Sequence, residues 1–151
     1  MSIRGEMGTS VMKIVTEKIA LNTKGDPDLI NITGKIEGIL DATGLKRGQV
    51  TVFVVGSTAA ITTFEYEPGL IKDVSEFYEK LIPRKKSYHH DATWGDANGF
   101  SHIRAALQGQ SITIPFDGGK LLLGIWQQVV LADFDNRPRK REVIVQVMGE
   151  A

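Results

Sequence analysis

The chain has 151 residues, of which 42% are apolar and 24% charged, and its 18 basic residues balance 18 acidic ones. This length predicts one domain with a substantial core, and the balanced charge disfavours a general nucleic-acid binder, which usually carries a basic excess. The absence of cysteine excludes disulfides, thiolate nucleophiles and cysteine-based metal sites. No apolar run approaches the roughly 18 residues that span a bilayer, and the start lacks a signal-peptide core, so we expect a cytoplasmic protein with no membrane contact.

The first part of the chain alternates between strand and helix patterns. Residues 1–12 are polar and glycine-containing, which indicates a flexible arm before a single domain over residues 13–151. Lys13–Ala20 mixes β-branched residues with an approximate alternation and is predicted to be a strand. The pair Asp26-Pro27 is typical of a helix start, and the apolar residues after it recur every three or four positions. We therefore expect a helix over Asp28–Thr43.

A second strand and two further helices follow. The apolar run Gln49–Val55 predicts a strand that is buried on both faces, and the hydroxyl-rich stretch GSTAAITTFE after it is predicted to be a loop. Leu70–Leu81 has one apolar helical face and is closed by Pro83. Ser101–Gln108 predicts a short helix.

The last part of the chain reads as strands. Ser111–Phe116 and Leu121–Phe134 flank the turn sequence Asp117-Gly118-Gly119, which is a strong hairpin signal. Glu142–Met148 predicts the last strand. The order of elements predicts a single-domain α+β fold, with a mixed or antiparallel sheet, two longer helices and one short helix.

The three histidines of the chain lie within the stretch SYHHDATWGDANGFSHIRAAL. Their spacing allows His90 from a loop and His102 from a helix to meet, with Asp91 or Asp96 nearby. Two imidazoles and a carboxylate can hold a divalent transition metal or act as an acid–base pair. The alternative is that these are loop histidines whose hydrogen bonds go to the backbone. His89, one residue away, is expected to face the other way.

His102 lies near the start of the predicted short helix. The positive end of a helix dipole disfavours an imidazolium, so we expect His102 to be mostly neutral at pH 7. In that state it can bind a metal or accept a proton.

Glu65 follows the buried strand and lies near Ser57 and Thr58 in sequence. A carboxylate there either orients a base, binds a cation or is a solvated charge. The hydroxyl groups of this stretch either bind phosphate or only permit close packing, since the lysine of a Walker loop is absent.

Polar residues also interrupt the most apolar part of the chain. Gln127 and Gln128 point to opposite faces of their predicted strand, so at least one amide faces the interior or an interface, where it needs a partner. Trp126 shares a face with Gln128, which is compatible with a core position. The basic run from Arg137 to Arg141 is more typical of a solvated face, whereas Arg104 could take phosphate oxygens bidentately.

Six motifs occur in order between about Lys13 and Gly149: GSTAAITTFE, YHHD, SHIRAALQG, SITIP, LLLGIWQ and VIVQVMG. Together they resemble the YjbQ family, also called the secondary thiamine-phosphate synthase family. The resemblance implies a compact α+β fold that assembles into a homotrimer. It also implies a site between subunits and a weak thiamine-phosphate synthase activity.

The resemblance also implies roles for individual residues. The family's SHI motif supplies His102, its Y-x-H-D motif supplies His90 and Asp91, and the acidic residue after the hydroxyl-rich loop corresponds to Glu65. These four residues are the predicted catalytic group, and His90, His102 and Asp91 are the predicted ligands of a divalent metal, Mg²⁺ or Zn²⁺. The predicted substrate contacts, which include the family's W-Q pair, come from Ser57, Thr58, Arg104, Trp126 and Gln127.

Two positions depart from the family pattern. Many members begin the hydroxyl-rich loop with His-Thr, where this chain has Gly56-Ser57. Some members also carry a histidine two residues before His102, where this chain has Phe100. A metal site that uses all of those histidines therefore cannot form here, whereas a two-histidine site completed by a carboxylate or water can.

Two functions follow from these residues. The first is an enzyme that couples a pyrimidine diphosphate to a thiazole phosphate and releases pyrophosphate, with a cation and hydrogen bonds to stabilise the leaving group. The second is a non-catalytic trimer that binds a small phosphorylated or anionic metabolite at its interfaces.

Overall fold

A computed structural model describes residues 9–25 and 27–151 of the chain. The predicted helix-capping residue Asp26 and most of the predicted arm over residues 1–12 lie outside this part. The elements in chain order are β1 (Lys13–Thr23), β2 (Asp28–Asn31), α1 (Thr33–Thr43), β3 (Arg47–Val55), β4 (Ala59–Glu65), α2 (Pro68–Leu81), α3 (Asp91–Trp94), α4 (Gly99–Gln108), β5 (Ser111–Asp117), β6 (Lys120–Leu121), β7 (Gln127–Asp133) and β8 (Arg139–Glu150).

The strands form two antiparallel sheets. The larger sheet has the order β1-β8-β3-β5-β6, and the smaller has the order β2-β7-β4. Every pairing is antiparallel, and β1 pairs with β8 over all 11 of its residues. The predicted α+β class is confirmed.

The smaller sheet is the middle layer of the molecule. Because side chains alternate across a strand, Ile61 of β4 packs towards α1 and the larger sheet, while Ala60 packs towards α2 and α4. The valines of β3 and β8 fill the first of these two cores, and Tyr78 and Phe134 fill the second. No helix within the described residues is long and apolar enough to cross a membrane.

The first predicted helix begins later than expected. Asp28–Asn31 forms β2, which pairs with β7 so that Leu29 lies opposite Ala132, and the helix begins only at Thr33. The side chain of Asn31 accepts hydrogen bonds from the backbone N–H of Thr33 at 3.0 Å and from its hydroxyl at 2.7 Å. Sheet pairing in β2 and this turn override the helical periodicity of the sequence.

Two expectations around β3 are wrong. β3 is buried on one face only, because its valines at 50, 52 and 54 face the core while Phe53 and Val55 are exposed on the outer face of the larger sheet. The stretch predicted as a hydroxyl-rich loop is mostly β4, whose side chains pack into both cores. The loop itself is confined to residues 56–58.

The predicted strand Leu121–Phe134 is two strands in different sheets. β6 ends at Leu121 in the larger sheet, and β7 begins at Gln127 in the smaller one. Trp126 therefore lies in the connecting segment and is 67% exposed, rather than inside a strand. The short helix α3 was not expected from the sequence.

Candidate functional site

The loop that carries His90 is closed by a carboxylate. Asp91 Oδ2 accepts a hydrogen bond from the backbone N–H of Tyr88 at 3.1 Å, and Asp91 Oδ1 accepts one from the N–H of Gly99 at 3.0 Å. A Cβ atom at Gly99 would lie 2.6 Å from the Cβ atom of Tyr88, so this close approach requires glycine. Asp91 therefore joins the beginning and the end of the loop and holds it against the start of α4.

The start of α4 is fastened to the end of β7. The hydroxyl of Ser101 donates to the carbonyl of Phe134 at 2.6 Å, and the backbone N–H of His102 donates to the carbonyl of Asn98 at 3.3 Å. This position brings His102 towards the loop that carries His90.

The two predicted histidines lie side by side. The ring centroids of His90 and His102 are 4.4 Å apart, with an angle of 59° between the rings. The Nε2 atom of His90 is buried and has no hydrogen-bond partner within the described part of the chain. The predicted meeting of a loop histidine and a helix histidine is therefore what the structure shows.

A cavity of about 380 Å³ opens onto the two imidazoles. The polar residues that line it are Lys86, Ser87, Tyr88, His89, His90 and His102. His89, which is expected to face away from His90, is exposed and is also among the residues that line the cavity. The Nζ atom of Lys86 is 5.6 Å from the centroid of the Tyr88 ring. Lysine, hydroxyl and imidazole groups together favour an anionic ligand over a metal cation.

Burial lowers the pKa of His102 below its usual value, and the neighbouring His90 ring lowers it further. The carboxylates of Asp135 and Asp96 act in the opposite direction without reversing the shift. The pKa therefore moves in the direction that was expected, but for other reasons than the helix dipole. A neutral His102 has a lone pair available to accept a proton.

The predicted three-ligand metal set is not assembled. Within residues 9–25 and 27–151, no group of three or more His, Asp or Glu side chains is placed so as to hold a metal ion. Asp91 closes the loop instead of joining His90 and His102. The two imidazoles of His90 and His102 are therefore the metal ligands that this arrangement provides.

A buried ionic cluster lies beside the histidines. Arg141 makes a bidentate contact with Asp133, with Nε–Oδ2 at 2.7 Å and Nη2–Oδ1 at 2.8 Å, and it also donates to the hydroxyl of Thr58 at 2.7 Å. Asp133 is fully buried, and it accepts a further hydrogen bond from Thr23 at 2.6 Å. Thr58, predicted to contact substrate, is committed to this cluster.

Asp135 links the cluster to the histidine site. Its carboxylate accepts hydrogen bonds from Arg139 Nε at 2.7 Å and from Thr58 Oγ1 at 3.0 Å, and Asn98 Nδ2 lies 3.4 Å from its Oδ1 atom. Burial acts to raise the pKa of Asp135, but the hydrogen bonds from Arg139, Thr58 and the backbone of Asn136, together with the charge of Arg139, outweigh burial and hold the pKa below its usual value. Asp135 is therefore a permanent negative charge that acts on His102.

Arg104 has a structural position. It is 1% exposed, and it donates to the carbonyl of Ile82 through Nε at 3.1 Å and Nη2 at 2.8 Å. Nη2 also contacts Glu79 at 2.8 Å, and the guanidinium lies 5.0 Å from the centroid of the Phe100 ring. This arrangement fastens α4 to the end of α2 and does not support the predicted role of Arg104 as a phosphate ligand.

Glu65, Trp126 and Gln127 lie at the other end of β4 and β7, whereas Ser57 lies in the loop before β4. Glu65 pairs in register with Gln127, whereas Ala59 pairs with Asp133 beside the histidines. The two ends of a strand of this length are about 20 Å apart. Glu65 and Gln127 are both exposed in the single chain, and Ser57 is exposed on the loop before β4. One chain therefore does not bring Glu65, Trp126 and Gln127 to the histidines.

Gln127 is held by hydrogen bonds although it is exposed. Its Nε2 atom donates to the hydroxyl of Thr63 at 3.0 Å, and its Oε1 atom accepts from the N–H of Gly124 at 3.0 Å. The amide nitrogen and the amide oxygen therefore have one partner each, and the burial of Gln127 at a subunit interface with a fully hydrogen-bonded amide stays a prediction.

Sequence reasoning missed Asp133, Asp135 and Arg141, because the basic run was interpreted as a solvated face. The sequence did contain a sign of this cluster, because the charged residues are spaced two apart. Asp133 and Asp135 share one face of their segment, and Arg139 and Arg141 share one face of β8. Charges that alternate in this way on strands of one fold can pair in the interior.

Comparison with known sequences gives consistent matches over nearly the whole chain. A family model described as UPF0047 protein YjbQ-like matches residues 17–150. A UPF0047 protein from Methanothermobacter thermautotrophicus is 37% identical over 139 residues, which cover 92% of this chain and 95% of that protein. A UPF0047 protein from Archaeoglobus fulgidus is 37% identical over 131 residues, or 87% of this chain and 99% of that protein.

Solved structures resemble the fold closely. A YbjQ-like protein of unknown function from Sulfolobus solfataricus superposes with a TM-score of 0.89 at 31% identity, covering 93% of this chain and 100% of that one. An uncharacterized conserved protein of the yjbq/upf0047 family from Clostridium acetobutylicum gives a TM-score of 0.80 at 32% identity, covering 87% and 98%.

Proposed function

The chain belongs to the UPF0047 family of YjbQ-like proteins, and from this premise we propose that it binds a small phosphorylated metabolite in the cavity beside His90 and His102. The observation that carries the proposal is the pair of imidazoles 4.4 Å apart at the wall of that cavity. The lining residues include a lysine, a serine and histidines, whose side chains can donate hydrogen bonds to phosphate oxygens, while the hydroxyl of Tyr88 donates to the carbonyl of Pro83 at 2.7 Å. The cavity volume of about 380 Å³ suits a small ligand.

We further propose that the functional unit is a homotrimer with the site between subunits. The exposed segment after β6 supports this, because Leu122, Ile125 and Trp126 are 59%, 86% and 67% exposed. Apolar side chains clustered in this way are typical of an interface. In a closed ring, one subunit would supply the histidines and its neighbour would supply Glu65, Trp126 and Gln127.

The catalytic form of the proposal is thiamine-phosphate synthesis. A pyrimidine diphosphate and a thiazole phosphate would be coupled with release of pyrophosphate, and Lys86 would stabilise the charge that develops on the leaving group. In this step the lone pair of the thiazole nitrogen forms the new C–N bond while the C–O bond to the diphosphate breaks, so the nucleophile loses no proton. The lowered pKa of His102 keeps its imidazole neutral near pH 7, and it would donate a hydrogen bond to the phosphate oxygens rather than act as a base. Non-catalytic binding of a phosphorylated metabolite is the alternative, and it is favoured by the commitment of Asp91 to the loop.

A divalent cation, Mg²⁺ or Zn²⁺, is a separate part of the proposal. His90 and His102 would supply two nitrogen ligands, and phosphate oxygens and water would supply the others. A bound cation would polarise the diphosphate. Metal analysis of protein purified without an affinity tag tests this point, and a metal content unchanged in His90→Ala would contradict it.

Calorimetric titration with inorganic phosphate and pyrophosphate tests the binding proposal. We expect His90→Ala and His102→Ala to weaken binding by at least about tenfold, because each removes a lining imidazole. His89→Ala removes an exposed group at the rim of the cavity and is expected to weaken binding least. Equal effects of all three substitutions, or no binding by the wild-type protein, would overturn the proposal.

Turnover separates the enzyme from the binding protein. Pyrophosphate release from a pyrimidine diphosphate in the presence of a thiazole phosphate is the measurement. Saturable pyrophosphate binding without any turnover would support the binding function and contradict the catalytic one.

Mixed trimers test whether the site is shared between subunits. The His102→Ala and Gln127→Leu proteins are mixed at equal concentrations, unfolded and refolded together. In some of the resulting sites, a Gln127→Leu subunit supplies the intact histidines and a neighbouring His102→Ala subunit supplies the intact Gln127. Random assembly predicts that about one quarter of the sites regain both halves. No gain over the separate variants would show that the two halves do not share a site.

We also propose that the protein acts in the cytoplasm and does not bind nucleic acid, which is supported by its lack of cysteine and its balanced charge. Oligonucleotide binding with a steep salt dependence would contradict the second point.

A further inference from the structure

A groove of about 690 Å³ runs between α1 and β1. It lies at the β1 edge of the larger sheet, opposite the edge formed by β6. Its lining includes the apolar residues Val15, Ile39 and Ala42. The groove shares no lining residue with the histidine cavity, so it is a separate feature of the fold.

The groove runs along an edge of β1 that pairs with no other strand of residues 9–25 and 27–151. β1 is the first strand of its sheet, and it pairs with β8 in one uninterrupted register from Lys13 to Thr23. The strand contains no proline and no bulge, which are common devices that protect an edge from further pairing. The outer N–H and C=O groups of β1 are therefore arranged to accept another strand.

The helix leaves room for such a strand. A Cβ atom at Gly38, which lines the groove, would meet no atom within 4 Å. Ala42 lies one turn further along the same face. Small side chains on this face keep the space above β1 open.

The rim of the groove is basic. Lys13, Lys18 and Lys35 line it, against a single carboxylate from Glu17. Lys18 also contacts Glu142 at 3.1 Å on the sheet itself, while Lys13 and Lys35 lie exposed at the rim. Acidic side chains on a bound segment would complement this charge.

A second copy of β1 is a poor match for this edge. The antiparallel register that pairs all of Lys13–Thr23 with the same segment of a second copy places Lys18 opposite its own counterpart. Like charges directly opposite each other destabilise a strand pair. The charge pattern therefore favours a different strand.

We propose that the groove between α1 and β1 is a docking site for an extended acidic segment of a partner protein, which adds to the larger sheet as a strand beside β1. Backbone hydrogen bonds to β1 supply affinity. The apolar side chains on one face of the segment enter the groove, and the acidic side chains on its other face lie on the side of Lys18. Lys13 and Lys35 attract the charge of the segment from the rim.

Fluorescence polarisation with a labelled eight-residue peptide of alternating Glu and Val tests the proposal on the full chain. A peptide of alternating Glu and Pro has the same charge but lacks half of the N–H donors and does not form a strand. We expect binding of the Glu-Val peptide, no binding of the Glu-Pro peptide, and at least about tenfold weaker binding of a Lys-Val peptide.

The chain offers a matched pair of variants. Gly38→Leu fills the groove, whereas Gly34→Leu adds the same side chain one helical turn away, outside the groove and also into open space. We expect Gly38→Leu to weaken binding of the Glu-Val peptide by about tenfold or more and Gly34→Leu to leave it unchanged. Lys35→Glu is expected to weaken it as well, more strongly at low salt.

Three results would overturn the proposal: no binding of the Glu-Val peptide by the wild-type chain, equal binding of the Glu-Pro peptide, or equal effects of the two glycine variants. Light scattering tests the alternative that a second copy of the chain, rather than a partner protein, occupies the groove. If Gly38→Leu changes the oligomeric state while Gly34→Leu does not, a second copy of the chain covers the groove.

Discussion

The two ends of the paired strands β4 and β7 differ in whether their side chains are buried and have partners within the chain. At one end, Asp133 and Asp135 are fully buried, and arginine and threonine side chains satisfy their carboxylates. At the other end, Gln127 is exposed and Trp126 next to it is 67% exposed. We call these the ionic end and the open end.

The difference shows which end a single chain can build alone. Buried charges are tolerated only when each has its partners, and the ionic end supplies those partners from β1, β8 and the loop before β4. Exposed tryptophan and isoleucine side chains at the open end are costly in water and gain from a neighbouring subunit. The ionic end is therefore a finished scaffold for the histidines, whereas the open end is the part that we propose to be half of a subunit interface.

Breaking the ionic end should have the largest effect on stability. Asp133→Ala leaves Arg141 buried without its bidentate partner, so we expect a loss of about 3–5 kcal/mol in the free energy of unfolding. Urea unfolding followed by circular dichroism measures this loss. Glu65→Ala at the open end is the control, with an expected change within about 0.5 kcal/mol.

A double variant sharpens the same point. Asp133→Leu combined with Arg141→Met replaces both charges by apolar groups and should recover most of the stability lost in Asp133→Ala. If the double variant is as unstable as the single one, unpaired charge is not the cause of the loss.

Much of the fold could be predicted because it follows from local pattern. The amphipathic helix α2 and the strands β1, β5 and β8 lie close to where periodicity puts them. β2 was mistaken for a helix, since its pairing with β7 involves residues about 100 positions away that periodicity does not detect. The break between β6 and β7 was missed for a similar reason, because an apolar run does not reveal that its halves belong to different sheets.

The candidate site was predictable in part. His90 and His102 were identified as a pair because the chain's histidines are confined to one segment whose motifs resemble a known family. The structural roles of Asp91 and Arg104 depend on which backbone groups they meet after folding, and sequence spacing does not specify those groups. For the same reason, a polar residue near a site was easily mistaken for a ligand-binding one.

Disrupting the open end should act on assembly rather than on the fold. Trp126→Asp places a charge in the proposed interface, so we expect the proposed trimer to dissociate while the circular dichroism of the subunit is unchanged. Light scattering at micromolar concentration measures the mass. Lys120→Asp, an exposed charge change in nearby β6, should leave the trimer intact. A wild-type protein that is monomeric at this concentration would contradict the interface itself.

Gln127→Leu should have a smaller effect, and on ligand binding more than on stability. The substitution removes the hydrogen bonds to Thr63 and Gly124 and any bond to a ligand held by the neighbouring subunit. We expect pyrophosphate binding to weaken by about 1–3 kcal/mol, with a smaller change in unfolding free energy. A larger loss of unfolding free energy than of binding free energy would show that Gln127 serves the fold and not the ligand.

The smallest expected effect is the pH dependence that His102 confers on the ionic end. Burial and the His90 ring lower its pKa in the folded protein, so below about pH 6.5 the unfolded chain binds more protons than the folded one. Stability should therefore fall as the pH drops from about 6.5 through the folded pKa, and His102 should add no slope above that range. NMR titration of the imidazole signals gives the pKa directly. Thermal unfolding of His102→Gln should lose this part of the acid slope, and His89→Gln should keep it. A His102 signal that titrates above the usual histidine range would contradict the neutral imidazole on which its proposed role depends.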